Sequence, residues 1–239
     1  MGISNTIPPS RLIQPGVVAN TAARPTSPFT GQAIYQVDTN QYLIWNGTAW
    51  VIPNTPAQNP TGLELVTTTT CTSGGTVSSG VVTANATVSS VTIDNCFSAT
   101  YKAYKIMVAG GTASTGNVLN LQLVQSNGSV LTSGYYETFI YSAYSGSSAL
   151  VANGNNLSYF QRLGGVIDTS GVYGTCELIN PFIATNTIYS ASPRADAAGG
   201  NAGNSTGQQS SLVSCTGLKF LTSTGTISGT TITVYGYRN

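Results

Sequence analysis

No window of eleven or more residues in this chain carries apolar side chains at helical spacing, while short alternating runs recur through its C-terminal three quarters. In "NVLNLQLVQ", Leu119, Leu121 and Leu123 alternate with Asn120 and Gln122. Successive side chains of a strand point to opposite faces, so this pattern predicts a strand with one buried face. "VSSVTI", "YKAYKIMV", "YYETFIY", "TCELI", "GLKFL" and "TTITVYGY" are similar runs, separated by Gly, Ser and Asn. Seven or eight such strands predict an all-β fold, an antiparallel jelly-roll-like β-sandwich over residues 62–239. Two polar stretches, 145–159 and 194–211, lack the alternation and are expected to be long loops.

Upstream the texture differs. Eight of the ten prolines fall in the first sixty residues. Residues 1–28 show no periodicity, and Pro8-Pro9 forces an extended path, which predicts an arm. Such an arm cannot offset its own ordering entropy of about 1–2 kcal/mol per residue, so its expected role is to lie on a partner. Its candidate contacts are Ile7, Leu12, Ile13, Val17 and Val18, with Arg11 and Arg24 as polar anchors.

Residues 29–52 predict a β-meander: "GQAIYQV", a "DTNQ" turn, "YLIW", a type I′ turn at Asn46-Gly47, then "TAWVI". Trp45 and Trp50 flank the second turn, where they can pair across strands. Tyr35, Tyr42, Trp45 and Trp50 fit either a self-packed miniature sheet or a docking module whose aromatics meet a partner. The proline-rich stretch 53–61 is expected to be a linker to the sandwich.

Charged residues make up 6% of the chain, against about 25% in ordinary soluble domains. The net charge of +1 comes from scattered Lys and Arg, with no basic stripe to neutralise nucleic-acid phosphates. No apolar run approaches the roughly twenty residues that span a bilayer, and the start lacks the basic and apolar regions of a secretory signal. The expectation is a protein without membrane insertion.

Histidine is absent, which removes the Ser-His-Asp and Cys-His nucleophile systems. The seven carboxylates include one close pair, Asp168 and Glu177, without the glycine or aromatic framing of a glycosidase site. No phosphate-binding glycine loop is present, and Cys71, Cys96, Cys176 and Cys215 form no zinc pattern. A chain without enzymatic activity or cofactor is expected, its cysteines as buried free thiols, with a disulfide the minority reading. Tyr135, Tyr136, Tyr141 and Tyr144 crowd one strand and the loop after it. They are either receptor or neighbour contacts, or the alternating in-and-out side chains of a sandwich strand.

Two stretches carry a resemblance. Arg24-Pro25, Pro28, Gly31-Gln32, Ile34-Tyr35, Asp38-Thr39-Asn40 and Trp45 through Trp50 follow in order within residues 23–51. This resembles a recurrent module near the N-terminus of tailed-bacteriophage structural proteins. "GLELV", "VSSVTIDNCFSATYKAYKIMV", "LTSGYY" and "ISGTTITVYGYRN" are similar to the β-sandwich that follows it in phage tail and fibre proteins. The resemblance implies a virion component assembled in the host cytoplasm, often trimeric and not an enzyme. Capsid, neck or tail proteins would be its partners through residues 1–52, and a host-surface glycan or protein a further one. The chain has neither coiled-coil heptads nor a collagen-like repeat. A fibre or appendage subunit is the first expectation; a capsid decoration protein and a cellular carbohydrate-binding adhesin are the alternatives.

Overall fold

In a computed structural model of the chain, residues 16–53, 62–116, 118–143, 149–161, 163, 167–168, 171–192, 194–195 and 201–238 are described. Their regular structure is all β, save one 3-10 turn at Thr21–Ala23. The chain divides into two units, Met1–Asn59 and Pro60–Asn239.

The first unit is a four-stranded sheet of β1 (Gly16–Val18), β2 (Ala33–Gln36), β3 (Gln41–Trp45) and β4 (Trp50–Val51), in that order. The strand β1 runs parallel to β2, and the other pairs are antiparallel. It falls within the stretch expected to be an unpaired arm. Its three residues make main-chain pairs without a periodic pattern, which left no sequence signal. Residues 1–15, with Ile7, Pro8, Pro9, Arg11, Leu12 and Ile13, lie outside the described residues.

The first turn closes with Asn40 left-handed at φ 54°, a conformation Asn tolerates better than most residues. The second is a four-residue loop rather than a type I′ pair: Asn46 N donates to Ala49 O at 3.1 Å. Asn46 Oδ1 accepts from Thr48 N at 2.9 Å and Ala49 N at 2.8 Å, and only Gly47 has positive φ. The side chain of Asn46 supplies the turn that the backbone dihedrals do not.

The second unit contains, in chain order, β5 (Gly62–Leu65), β6 (Thr70–Ser73), β7 (Gly75–Ser78), β8 (Val81–Ala84), β9 (Ser90–Asp94), β10 (Ala103–Gly110), β11 (Thr112–Ala113) and β12 (Leu119–Gln125). There follow β13 (Tyr135–Ala143), β14 (Ala149–Leu157), β15 (Ile167–Asp168), β16 (Gly171–Ile179), β17 (Thr187–Ala191) and β18 (Arg194–Ala195). The last are β19 (Asn201–Gln209), β20 (Cys215–Thr222), β21 (Ile227–Ser228) and β22 (Thr231–Arg238). The large sheet runs β14-β13-β19-β17-β16-β10-β22-β8-β7, and the small one β12-β20-β9-β6. The far edge of β22 is shared, its first half pairing with β8 and its second half with β5.

The two sheets enclose one core. The small sheet contributes the cross-strand rows Leu121–Phe220–Val91 and Leu123–Leu218–Ile93. The large sheet answers with Val234–Ile106–Cys176–Ala191 and with Tyr104–Leu178–Tyr189. Each fully buried aliphatic side chain contributes about 1.5–3 kcal/mol.

Three expectations need correction. The strand β12 is buried on both faces, since Asn120 and Gln122 are sequestered with the leucines. Ser158, Phe160 and Leu163 flank it: Phe160 and Leu121 exchange main-chain hydrogen bonds at 2.9 and 3.0 Å, Leu163 N donates to Leu119 O at 2.8 Å, and Gln122 Nε2 donates to Ser158 O at 2.9 Å. A buried carboxamide with a backbone partner is tolerated. The stretch 145–159 is largely the strand β14, and 194–211 is largely β18 and β19. The strand β19 lies inside the large sheet, between β13 and β17. Its positions on the core side are Gly203, Ser205, Gly207 and Gln209, so no apolar alternation marks it. Glycine is required there, because a Cβ at Gly203 or Gly207 would stand 2.1 Å from Ile140 O or Tyr136 O.

Candidate functional site

The register of the first unit's sheet sorts its side chains onto two faces. Ile34, Leu43, Trp45 and Trp50 share one of them. Ile34 and Leu43 are buried, and the two indoles meet edge to face at 5.7 Å and 61°. The same face holds Gln36, which is buried and fully engaged. Its Oε1 accepts from Arg24 Nε at 2.6 Å, while its Nε2 donates to Thr21 Oγ1 at 3.2 Å and Asp38 Oδ1 at 2.7 Å. Thus Arg24, expected as a polar anchor to a partner, also closes its own unit through Nε. Asp38, Asn40 and Asn46 of the motif within residues 23–51 also work internally. Tyr35 donates its hydroxyl proton to Asn40 Oδ1.

The opposite face is different. Val17, Tyr35 and Tyr42 align across three strands, and Ala33, Ile44 and Val51 form the next row. All six are apolar or aromatic and none is charged. Val17 is 71% exposed, Tyr42 42% and Val51 38%. Val17 and Tyr42 were candidates from the sequence. Ala33, Ile44 and Val51 were not, although the spacing by two of Ala33 from Tyr35 and of Ile44 from Tyr42 carried the signal; Val51 joins them only through its pairing with Ile44. Phe29, Val37 and Ile52 are further exposed apolar side chains of this unit.

In the sandwich the tyrosine cluster separates. Tyr135 is fully buried; its hydroxyl accepts from Leu123 N at 2.8 Å and donates to Leu131 O at 3.2 Å. It is a core residue and meets no outside partner. Tyr136 stands on the outer side of the large sheet, and Tyr141 is half-buried against Phe139 at 4.9 Å. Tyr144 lies outside the described residues.

Among the carboxylates, Glu137 is buried and accepts from Gln161 N through both oxygens at 3.1 Å. Glu177 is exposed and accepts from the Tyr237 hydroxyl, whose pKa is pushed up to about 12 by that bond and then by burial. All four cysteines are free thiols, and burial pushes Cys96, Cys176 and Cys215 upward, Cys215 to about 12. Among the described residues no cluster of three His, Cys, Asp or Glu could hold a metal ion, and no helix is long and apolar enough to cross a membrane. No protein-family model, curated protein or solved structure matches the chain.

Proposed function

We propose that this chain is a non-enzymatic structural subunit of a tailed-bacteriophage particle, of fibre or appendage type. It attaches through residues 1–52 and holds the β-sandwich outward. The observation that carries this reading is the uncharged face Val17–Tyr35–Tyr42 and Ala33–Ile44–Val51 on a sheet of four short strands. A sheet that small is marginal in water and gains stability when its apolar face is covered. The phage-like motif of residues 23–51 supports the same reading, since its Arg24, Asp38, Asn40 and Asn46 build the scaffold of that face. A jelly-roll reading of the sandwich is supported by the order β8-β22-β10-β16 in one sheet and β9-β20-β12 in the other. The chain changes sheet from β8 to β9, from β9 to β10 and again before β12. Homotrimeric association belongs to the proposal through the resemblance alone.

The test is the protein content of purified particles by quantitative mass spectrometry, with the unaltered chain and with Tyr42→Glu. The unaltered chain is expected at the copy number of a tail or neck component, and Tyr42→Glu at a strongly reduced level. Absence from particles would overturn the reading. A copy number near that of the capsid subunit would move the attachment to the head.

A further inference from the structure

The outer face of the large sheet carries a cross-strand row of short polar side chains, Ser190–Thr206–Thr138–Asn153, one each from β17, β19, β13 and β14. The neighbouring row, Ile188–Gln208–Tyr136, is long. Short side chains beside long ones leave a trough of about 620 Å³, running across the strands, to which Asn155 and the backbone at Gly154 and Gly207 also contribute. Strands lie about 4.8 Å apart, so the row is roughly 14 Å long and offers a hydroxyl or amide at each step. That repeat is close to the rise of one sugar ring in an extended glycan.

The chemistry of the trough narrows its ligand. All its outward-facing polar groups are neutral: Ser190, Thr206, Thr138, Asn153, Asn155 and Gln208. Glu137 also lines it, but its carboxylate is turned to the core side, onto Gln161 N. An anionic ligand would need a cation, and Lys105 is two strands beyond β17, paired in register with Glu177. A purely apolar ligand would strip water from the floor hydroxyls and leave them without partners, at about 1–3 kcal/mol each. An extended peptide pairs its main chain with a sheet edge, and this site is on a sheet face. Tyr136, 36% exposed at the wall, supplies an aromatic surface for the apolar side of a sugar ring.

We infer that the trough over β17, β19, β13 and β14 binds an extended, uncharged oligosaccharide, with Ser190, Thr206, Thr138 and Asn153 as the hydrogen-bonding floor and Tyr136 as the stacking wall. This goes beyond the particle reading and does not depend on it, since the purified full chain is what is tested.

The full chain is applied to a printed array of uncharged and anionic oligosaccharides. The uncharged hits are then titrated into ¹⁵N-labelled protein. Expected are saturable shifts confined to Tyr136–Thr138, Asn153–Asn155, Ile188–Ser190 and Thr206–Gln208. Replacing both floor threonines by their isostere, Thr138→Val with Thr206→Val, is expected to weaken binding about tenfold or more. Thr233→Val, on β22 of the same sheet, is expected to leave it unchanged. The inference is overturned by an array with no uncharged hit, by shifts elsewhere, or by equal affinity in the double variant. Shifts of the trough amides with protein concentration alone would also overturn it, because a second copy would then be the occupant. Loss of particle attachment in Tyr42→Glu has no bearing on these readouts.

Discussion

Arg238 forks onto Glu64, its Nε donating to one carboxylate oxygen and its Nη2 to the other at 3.3 Å. Tyr101 adds its hydroxyl to the same carboxylate at 2.8 Å. The ring of Tyr101 lies over Gly236, where a Cβ would come within 2.3 Å of it. Four residues thereby fasten β5 to β22, the strand shared by both halves of that sheet edge.

The fastening is sensitive to acid. The Tyr101 hydroxyl, and then Arg238, hold the Glu64 carboxyl below the usual carboxylate range. A folded-state pKa below the unfolded one stabilises above the ordinary carboxylate value and is lost as pH falls through the lowered value. The difference in Tm between the unaltered protein and Glu64→Gln is therefore expected to be largest near neutrality and to vanish in acid. Both partners are 34% exposed, so the difference is expected to be small and to shrink with added salt. A Tm difference independent of pH would refute the assignment.

Tyr135→Phe keeps the ring that packs edge-on against Phe160 at 4.8 Å and removes only the hydroxyl. Leu123 N, in a buried strand, then loses its acceptor. A loss of about 1–3 kcal/mol is expected, read as a lower denaturant midpoint with an unchanged slope. An unchanged midpoint would mean that the bond contributes nothing net.

Both tryptophans of the chain, Trp45 and Trp50, belong to the first unit. Indole fluorescence thus follows that unit alone, while far-UV circular dichroism is dominated by the sandwich. A unit of this size buries too little surface to match the stability of a domain of 180 residues, counted from Pro60 to Asn239. On heating, the fluorescence transition is expected to precede the dichroism transition, and Trp50→Ala to lower only the first. Coincident transitions would show one cooperative unit.

Thiol chemistry offers an inexpensive check of the core. Cys96, Cys176 and Cys215 are buried, whereas Cys71 is partly exposed, with Sγ 3.3 Å from Ser73 O. Ellman's reagent is expected to titrate at most one thiol in the native protein, slowly, because burial also raises the Cys71 pKa. All four are expected to react in denaturant. Rapid native reaction of two or more would contradict the packing.

Strands whose core-facing positions are apolar were legible from alternation alone. Tyr104, Ile106 and Val108 on β10, or Ile232 and Val234 on β22, are examples. The strand β19 was hidden because its core side is built of Gly203, Ser205, Gly207 and Gln209. The solvated face expected of β12 failed for another reason: whether Asn120 and Gln122 meet water depends on where Ser158 lies, a non-local fact. Arg24 and Asp38 were visible as motif residues, but their meeting at Gln36 required the fold. The polar trough was illegible for the same reason, since Thr138, Asn153, Ser190 and Thr206 are brought together only by strand register.

The pairing of β5 with β22 also gives the sandwich a direction of mechanical strength. The sandwich's first strand begins at Gly62, which lies opposite Arg238, and three further pairs follow from Leu63–Tyr237 to Leu65–Tyr235. A load collinear with β5 shears all four pairs and the Glu64–Arg238 fork at once, and passes into β22 beside β10. A load at right angles peels the same pairs one at a time, beginning at Gly62. The sandwich is thus stiff to an axial pull on its first strand and yielding to a sideways one.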